Sequence, residues 1–366
     1  MSTHDEIIAK LPEAFEKARV SGDLLFFPST IHVHREHDVD NKPKLPPPDF
    51  SADAPTAEQQ EKKRHDPFAP PYVPNLYLGE VRDEAEGNEY VILFNKYSIV
   101  PNHILMVTKE FQSQSSPLMP PDLVQAYLFL VAAKKAGRNF FAFYNCKPSR
   151  VLFVRATWRV DAIWQGGDLS GASQPHKHLQ LIPIEDDGPP IEKVARAAKI
   201  EHDGTSIIPS PTHQRILTVH QRPPLHAILP ALRQPHTPTP LLALLPRPPP
   251  SLSPPSRTPS SPLLDLAIST VRHDPTYPQG SPSYNVILTL EHIHVVPRRR
   301  ETHTLARTGE ALSVNALGFA GMLLVKSEAE LGAVKEEGVG AILRGVGLES
   351  VHELQMDEHK SADERL

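Results

Sequence analysis

Cysteine is nearly absent. Cys146 stands alone in 366 residues, so no internal disulfide can form, a thiolate-rich structural zinc site is excluded, and a reducing compartment is expected. Long apolar runs are missing as well: nothing approaches the ~20 residues of a membrane span. The opening Met1-Ser2-Thr3-His4-Asp5-Glu6 lacks the basic and apolar regions of a signal peptide. Cytosol is therefore the expected compartment, with the nucleus also open. Positive charge is not in excess, since 38 Lys and Arg face 43 Asp and Glu, and the net charge of -5 leaves no basic footprint for nucleic acid. One further absence is local. Residues 204–264 contain no Asp, Glu, Phe, Trp or Tyr, a composition that cannot build an ordinary core and reads as disordered or out of frame. Within it, Pro246-Arg247-Pro248-Pro249-Pro250 also fits a polyproline ligand for an SH3-type partner.

What is present is globular. Hydrophobic residues make up 39% of the chain, enough for a sizeable core, and 40 prolines amount to roughly double the usual share of about 5%. Apolar spacing predicts a first helix over residues 5–20 with Asp5 as cap and Gly22 beyond its end, and a second over 120–136. Alternation predicts strands at 31–34, 90–94, 104–108, 140–144, 284–290 and 293–297, with 90–94 and 104–108 forming an antiparallel pair. A glycine-containing strand over 312–325 and a closing helix from Ser327 to about Gly338 complete the order. Antiparallel runs with helices between them, rather than regular βαβ alternation, indicate an α+β fold.

The chemistry concentrates in Gly171-Ala172-Ser173-Gln174-Pro175-His176-Lys177-His178-Leu179-Gln180. On a strand, side chains alternate faces, so His176, His178 and Gln180 emerge together. An imidazole is substantially the free base near neutrality and can attack phosphorus; an amide donor beside it can hold an oxyanion. The small residues just upstream let backbone N–H groups approach a phosphate closely. Taken alone, the His-x-His tripeptide equally fits a surface pair or a metal-ligand pair.

The whole decapeptide resembles the active-site signature of the fungal diadenosine tetraphosphate phosphorylases, also called ATP adenylyltransferases, of the histidine-triad superfamily. The resemblance extends through Pro67-Phe68-Ala69-Pro70-Pro71, Leu93-Phe94-Asn95-Lys96, Val100-Pro101-Asn102-His103, Phe143-Tyr144-Asn145-Cys146, Tyr284-Asn285-Val286 and Asn315-Ala316-Leu317-Gly318-Phe319-Ala320-Gly321. It implies a histidine-triad-like antiparallel sheet with both halves of the chain contributing to one nucleotide site. His178 would be the nucleophile, with His176 and Gln180 as catalytic helpers. Substrate contacts would come from Lys63 in the proline-rich arm, from Asn95 and Lys96, from Asn145, and from Gly171, Ala172, Ser173 and Gln174 together with Gln180. In the C-terminal half they would come from Asn285, Thr289 and Arg298.

The implied ligands are a dinucleoside polyphosphate, ATP, ADP and phosphate, with no nucleic acid and no membrane. No covalent cofactor is implied; a divalent cation such as Mg is left open, no metal-ligating residue is assigned, and the oligomeric state is undetermined. A related histidine-triad nucleotide hydrolase, a hexose phosphate uridylyltransferase, or a catalytically inactive nucleotide-binding variant are the alternatives. Residues 147–166 have no counterpart in the family pattern: without them the chain reads Phe-Tyr-Asn-Cys-Gly-Asp-Leu-Ser-Gly-Ala-Ser-Gln, so they read as a translated intron. The resulting organisation is 1–202 as the N-terminal half of the catalytic domain, 203–264 as low-complexity sequence, and 265–366 as the C-terminal half.

Overall fold

The computed structural model describes residues 1–28, 31–36, 39–41, 66–146, 171–197, 205–209, 215–220 and 283–348. Lys63 and the 147–166 segment lie outside the described residues, as does most of 203–264. In chain order the elements are α1 (His4–Val20), β1 (Leu25–Phe26), β2 (His34–Glu36), β3 (Val39–Asn41), β4 (Tyr77–Arg82), β5 (Glu89–Phe94), β6 (Tyr97–Ser98), β7 (Ile104–Thr108), α2 (Pro120–Lys135), β8 (Asn139–Cys146), β9 (His178–Ile184) and α3 (Pro190–Ala197). There follow β10 (Thr205–Pro209), β11 (Arg215–His220), β12 (Tyr284–Leu288), β13 (His292–Pro297), β14 (Thr302–Thr304), β15 (Ala311–Ser313), α4 (Ala316–Phe319), α5 (Glu328–Glu337) and α6 (Val339–Val346).

Nine strands form one sheet in the order β10-β11-β13-β12-β8-β9-β7-β5-β4, and every pairing in it is antiparallel. Two of them, β10 and β11, fall inside 203–264, where composition gave no expectation of core; what joins them to the sheet is backbone pairing, which is indifferent to side-chain polarity. Strand β9 sits between β8 and β7, well away from either edge.

The period-2 pattern divides this sheet into two different faces. On one, Ile92, Phe94, Met106, Ala142, Leu179, Leu181, Val286 and Val295 share a core with Ile7, Ile8, Leu11 and Phe15 of α1 and Phe129 and Leu130 of α2. The α1 stripe explains that helix, and its start is set by a capping box in which Thr3 accepts from Glu6 N while Glu6 reaches back to Thr3 N. Thr3, not Asp5, is thus the cap: Asp5 lies inside the first turn, where its charge suits the helix N-terminus. The opposite face carries two separate apolar patches. Phe68, Val91, Leu93, Leu105 and Val107 form one, and Phe141, Phe143, Ile182, Ile287 and Val296 join Leu317, Phe319 and the α5 and α6 residues Leu331 and Ile342 in the other. Between the patches β9 presents His178 and Gln180.

Residues 312–325 differ from the expected strand. Only Ala311–Ser313 is extended, and Asn315 then caps the short α4 by accepting from Leu317 N, a role for which an asparagine side chain is better suited than for a ladder position. The half-buried His32 and His34 are less solvent-facing than alternation alone implies. Among the described residues no helix is long and apolar enough to cross a membrane.

Candidate active site

His178 is held at three points. Its backbone N–H donates to Gln114 Oε1 at 2.7 Å, its carbonyl accepts from Gln114 Nε2 at 3.2 Å, and its Nδ1–H donates to the His176 carbonyl at 2.8 Å. The same Gln114 amide donates to the Asn145 carbonyl at 3.0 Å. The β8–β9 ladder runs from Asn139↔Ile184 to Phe143↔Gln180, so the glutamine side chain splices the two strands just past the last ladder pair, at the residues that bear chemistry. With Nδ1 carrying the proton, the Nε2 lone pair of His178 is left outward, and Nε2 bonds to no described residue. Burial strips an imidazolium of its hydration and lowers the His178 pKa to about 4, overriding the His176 carbonyl, which acts in the opposite sense. The ring is therefore the free base across the neutral range. Phe68 lies against it with ring centroids 5.0 Å apart.

His176 differs in kind. Its Nδ1 lies 2.7 Å from Asp66 Oδ2 and its Nε2 2.7 Å from the Thr108 carbonyl, so both ring nitrogens face acceptors and neither is open to a substrate. It helps its neighbour through its backbone oxygen rather than through its imidazole, because Asp66 and Thr108 turn the ring away. The intervening Lys177 points to the other face of the sheet, fully buried, where Nζ meets Asp122 Oδ2 at 2.6 Å and the Pro117 carbonyl at 2.8 Å. Tyr90 donates its hydroxyl to the other oxygen of Asp122 at 2.8 Å.

Gln180 is oriented by a residue that its own sequence context does not reveal. His103 Nε2 lies 3.0 Å from Gln180 Oε1 and donates to it, which turns the Gln180 NH₂ group away from His103 and frees its two hydrogens for an acceptor. Asn95 Nδ2 stands 3.4 Å from the His103 ring nitrogens, and the backbone N–H of Asn95 donates to the His103 carbonyl at 2.9 Å. Asn95 is thus brought to Gln180 through His103, while Lys96, exposed beside it, lies at the rim with its Nζ 5.8 Å from the Tyr97 ring.

The small-residue loop packs against the C-terminal half of the chain. Gly171 has φ +76°, and a Cβ there would stand 2.8 Å from Asn315 Cβ, so a side chain is refused on both counts. Ala172 is buried, Ser173 exposed and Gln174 half-buried. Asn315 leads directly to Ala316, whose N–H donates to Asn145 Oδ1 at 3.0 Å, so loop, C-terminal half and β8 meet at one place.

Three residues expected to touch substrate are placed otherwise. Asn285 donates to Asn145 Oδ1 at 2.8 Å and accepts from Arg298 Nη1 at 2.5 Å, making it a link in a buried chain. Arg298 is fully buried, and Nη2 donates to the carbonyls of Arg300 and Val314, both at 2.7 Å, while Nε faces Val346 O at 3.4 Å. With its ring-like plane stacked 4.8 Å from the Phe319 centroid, this guanidinium is a cross-brace among carbonyls rather than a phosphate ligand. Thr289 sits at the far end of β12, its hydroxyl donating to Glu192 Oε1 at 3.1 Å and capping the N–H of His292 at 2.8 Å. Part of what holds them comes from segments remote in sequence, Asn145 for Asn285, Val346 for Arg298 and Glu192 for Thr289, which no local pattern conveys.

Comparison with known proteins agrees with this architecture. The Ap4A phosphorylase N-terminal domain model matches residues 2–149 and 156–197, passing over six residues of the 147–166 segment, and the ATP adenylyltransferase C-terminal domain model matches 252–349. Diadenosine tetraphosphate phosphorylase 2 of Saccharomyces cerevisiae is 28% identical over 295 residues, covering 76% of this chain and 74% of that protein. The protein APA1 of the same yeast is 24% identical over 92% of both chains. The crystal structure of yeast Ap4A phosphorylase Apa2 superposes with a TM-score of 0.66 at 23% identity, covering 94% of this chain and 97% of that one; its complex with Ap4A gives 0.60 at 22%. These structures share the fold, and since the N-terminal model alone spans more than half of the sequence, the chain belongs to the Ap4A phosphorylase family.

Proposed function

We propose that this chain is a dinucleoside polyphosphate phosphorylase that cleaves diadenosine tetraphosphate with phosphate, through an adenylyl-histidine intermediate on His178. The observation that carries the reading is the His178 ring: buried, free base, with Nδ1–H committed to the His176 carbonyl and Nε2 left for attack. The Nε2 lone pair attacks the α-phosphorus, a P–N bond forms, and the P–O bond to the triphosphate breaks so that ATP leaves. An oxygen of inorganic phosphate then attacks the same phosphorus, the P–N bond breaks, and ADP leaves with the histidine regenerated. Run backwards, the cycle is an adenylyl transfer from ADP to ATP.

Phosphoryl chemistry of this kind depends on positioning and charge stabilisation. The Gln180 NH₂, directed by His103, supplies a donor for a non-bridging oxygen, while Ser173 and the backbone around Gly171 supply the phosphate cradle. Lys96 at the rim offers positive charge to the leaving polyphosphate. Phe68 against the His178 ring keeps water from the intermediate, which favours phosphorolysis over hydrolysis. Mg would enter as part of the polyphosphate substrate, whose own oxygens bind it.

The test is rapid mixing with diadenosine tetraphosphate in phosphate-free buffer followed by peptide mass mapping. An AMP adduct on His178, discharged as ADP when phosphate is added, is expected. An adduct elsewhere, or phosphate-independent release of AMP at the same rate, overturns the assignment.

A further inference from the structure

At the opposite end of the β12–β13 hairpin from Asn285, a second cluster of chemistry-bearing residues has no part in the nucleotide reaction. Glu192, in the first turn of α3, is buried, and its two oxygens are divided between two imidazoles from one face of β13: Oε1 lies 2.7 Å from His292 Nδ1 and Oε2 lies 3.3 Å from His294 Nε2. Both histidines are as buried as the carboxylate. Glu291, in the hairpin turn, adds a second carboxylate, so that one ligand atom each from Glu192, Glu291 and His292 falls within 4.8 Å of the others. The strand register also sets His220 of β11 directly opposite His292.

We propose that Glu192, Glu291 and His292 form a binding site for a divalent transition metal of the zinc type that fastens α3 to the β12–β13 hairpin, with His294 holding the second oxygen of Glu192 from behind. An imidazole and a buried carboxylate, with a second carboxylate at the half-exposed mouth, match the ligand preference of such an ion, whereas a hard cation such as Mg favours oxygen and water alone. His292 already turns toward Glu192 the nitrogen it would give to the metal. The outer groups are in place too. The Thr289 hydroxyl donates to Glu192 Oε1 at 3.1 Å, and Arg196 holds Glu291 at 2.5 Å, so both carboxylates have the second partner that orients a metal ligand. The role is structural. Asn285, which reaches the active-site asparagine, and Thr289, which reaches this cluster, are four strand positions apart, about 13 Å along β12.

The experiment uses the full, untagged chain stripped with a chelator and dialysed, then titrated with zinc chloride against a chromophoric competitor. One zinc per chain with Kd below about 1 μM is expected, together with a rise in Tm on adding zinc. Glu192→Gln keeps the shape and one acceptor, and weakens zinc binding at least about 100-fold; His292→Asn with His294→Asn abolishes it. Phosphorolysis by the stripped protein at low temperature stays within about twofold of the zinc-loaded protein, which separates this site from the reaction at His178. Absence of stoichiometric zinc binding by the wild-type chain overturns the proposal without recourse to any variant. So does binding that Glu192→Gln leaves unchanged.

Discussion

Gln180 and His103 form a pair in which His103 orients Gln180 and, in the proposed mechanism, Gln180 acts on substrate. If the Gln180 NH₂ meets charge that develops in the transition state, Gln180→Ala lowers kcat by about 100-fold with little change in KM, as removal of an oxyanion donor does. His103→Ala leaves that amide free to rotate, and kcat falls by about tenfold, a smaller loss because the donor is misdirected rather than removed. Steady-state kinetics of both variants and of the double variant check this. The double variant should be no slower than Gln180→Ala alone, since His103 has nothing left to orient. The shared face of His176, His178 and Gln180 was legible from alternation. What alternation could not convey is that the His176 ring is spent on Asp66 and Thr108, because those contacts join residues 110 and 68 positions apart.

At the scale of elements, β9 is fixed from both sides, and the less visible anchor is Lys177. Its ammonium and the Asp122 carboxylate are both buried, with Tyr90 satisfying the second carboxylate oxygen. Lys177→Met leaves Asp122 charged and unpaired, and destabilises the fold by about 3–5 kcal/mol; Lys177→Met with Asp122→Leu recovers much of that loss, because no uncompensated charge remains. Chemical denaturation of the two variants measures it. Nothing local in the sequence marks the role of a lysine between two histidines. Only the pairing of a strand with a helix N-terminus 55 residues away reveals it as an anchor. The same limit explains the other differences. Strands 90–94 and 104–108 and most of 284–290 obey a local period and were expected; the capping by Thr3, through a reciprocal pair of hydrogen bonds, and by Asn315, through one, outweighs propensity.

For the whole molecule, pH acts through histidines that are buried uncharged. His178 and His4 both titrate near 4 in the folded protein, each chiefly because burial disfavours the cation. Their unfolded value is near 6.5, so the unfolded chain binds protons first as pH falls. Stability is full above about 6.5 and declines between about 6.5 and 4, by on the order of 3 kcal/mol for His178 alone. Urea unfolding at successive pH values should show that slope, and His178→Gln should flatten it. The reaction itself should keep its nucleophile well below pH 6.5, so an acid limb of kcat/KM at the ordinary imidazole value would have to come from another group.

The sheet passes from one half of the chain to the other along one line, where Tyr284 to Leu288 of β12 face Ala142 to Cys146 of β8, with Asn145, Asn285 and Arg298 bonded across and behind it. A polypeptide released after α3 would therefore end its sheet at β8. That edge is eight residues long, with Phe141, Phe143 and Tyr144 in it, and has neither a proline nor a charge to discourage strand addition by a second copy. Residues 1–197 expressed alone should accumulate as sheet-rich aggregates visible by light scattering, and supplying the C-terminal half in the same cell should restore solubility. Interrupted synthesis of this protein is thus an aggregation hazard in its own right, and the strand that closes the active site is also what makes the sheet unavailable to its neighbours.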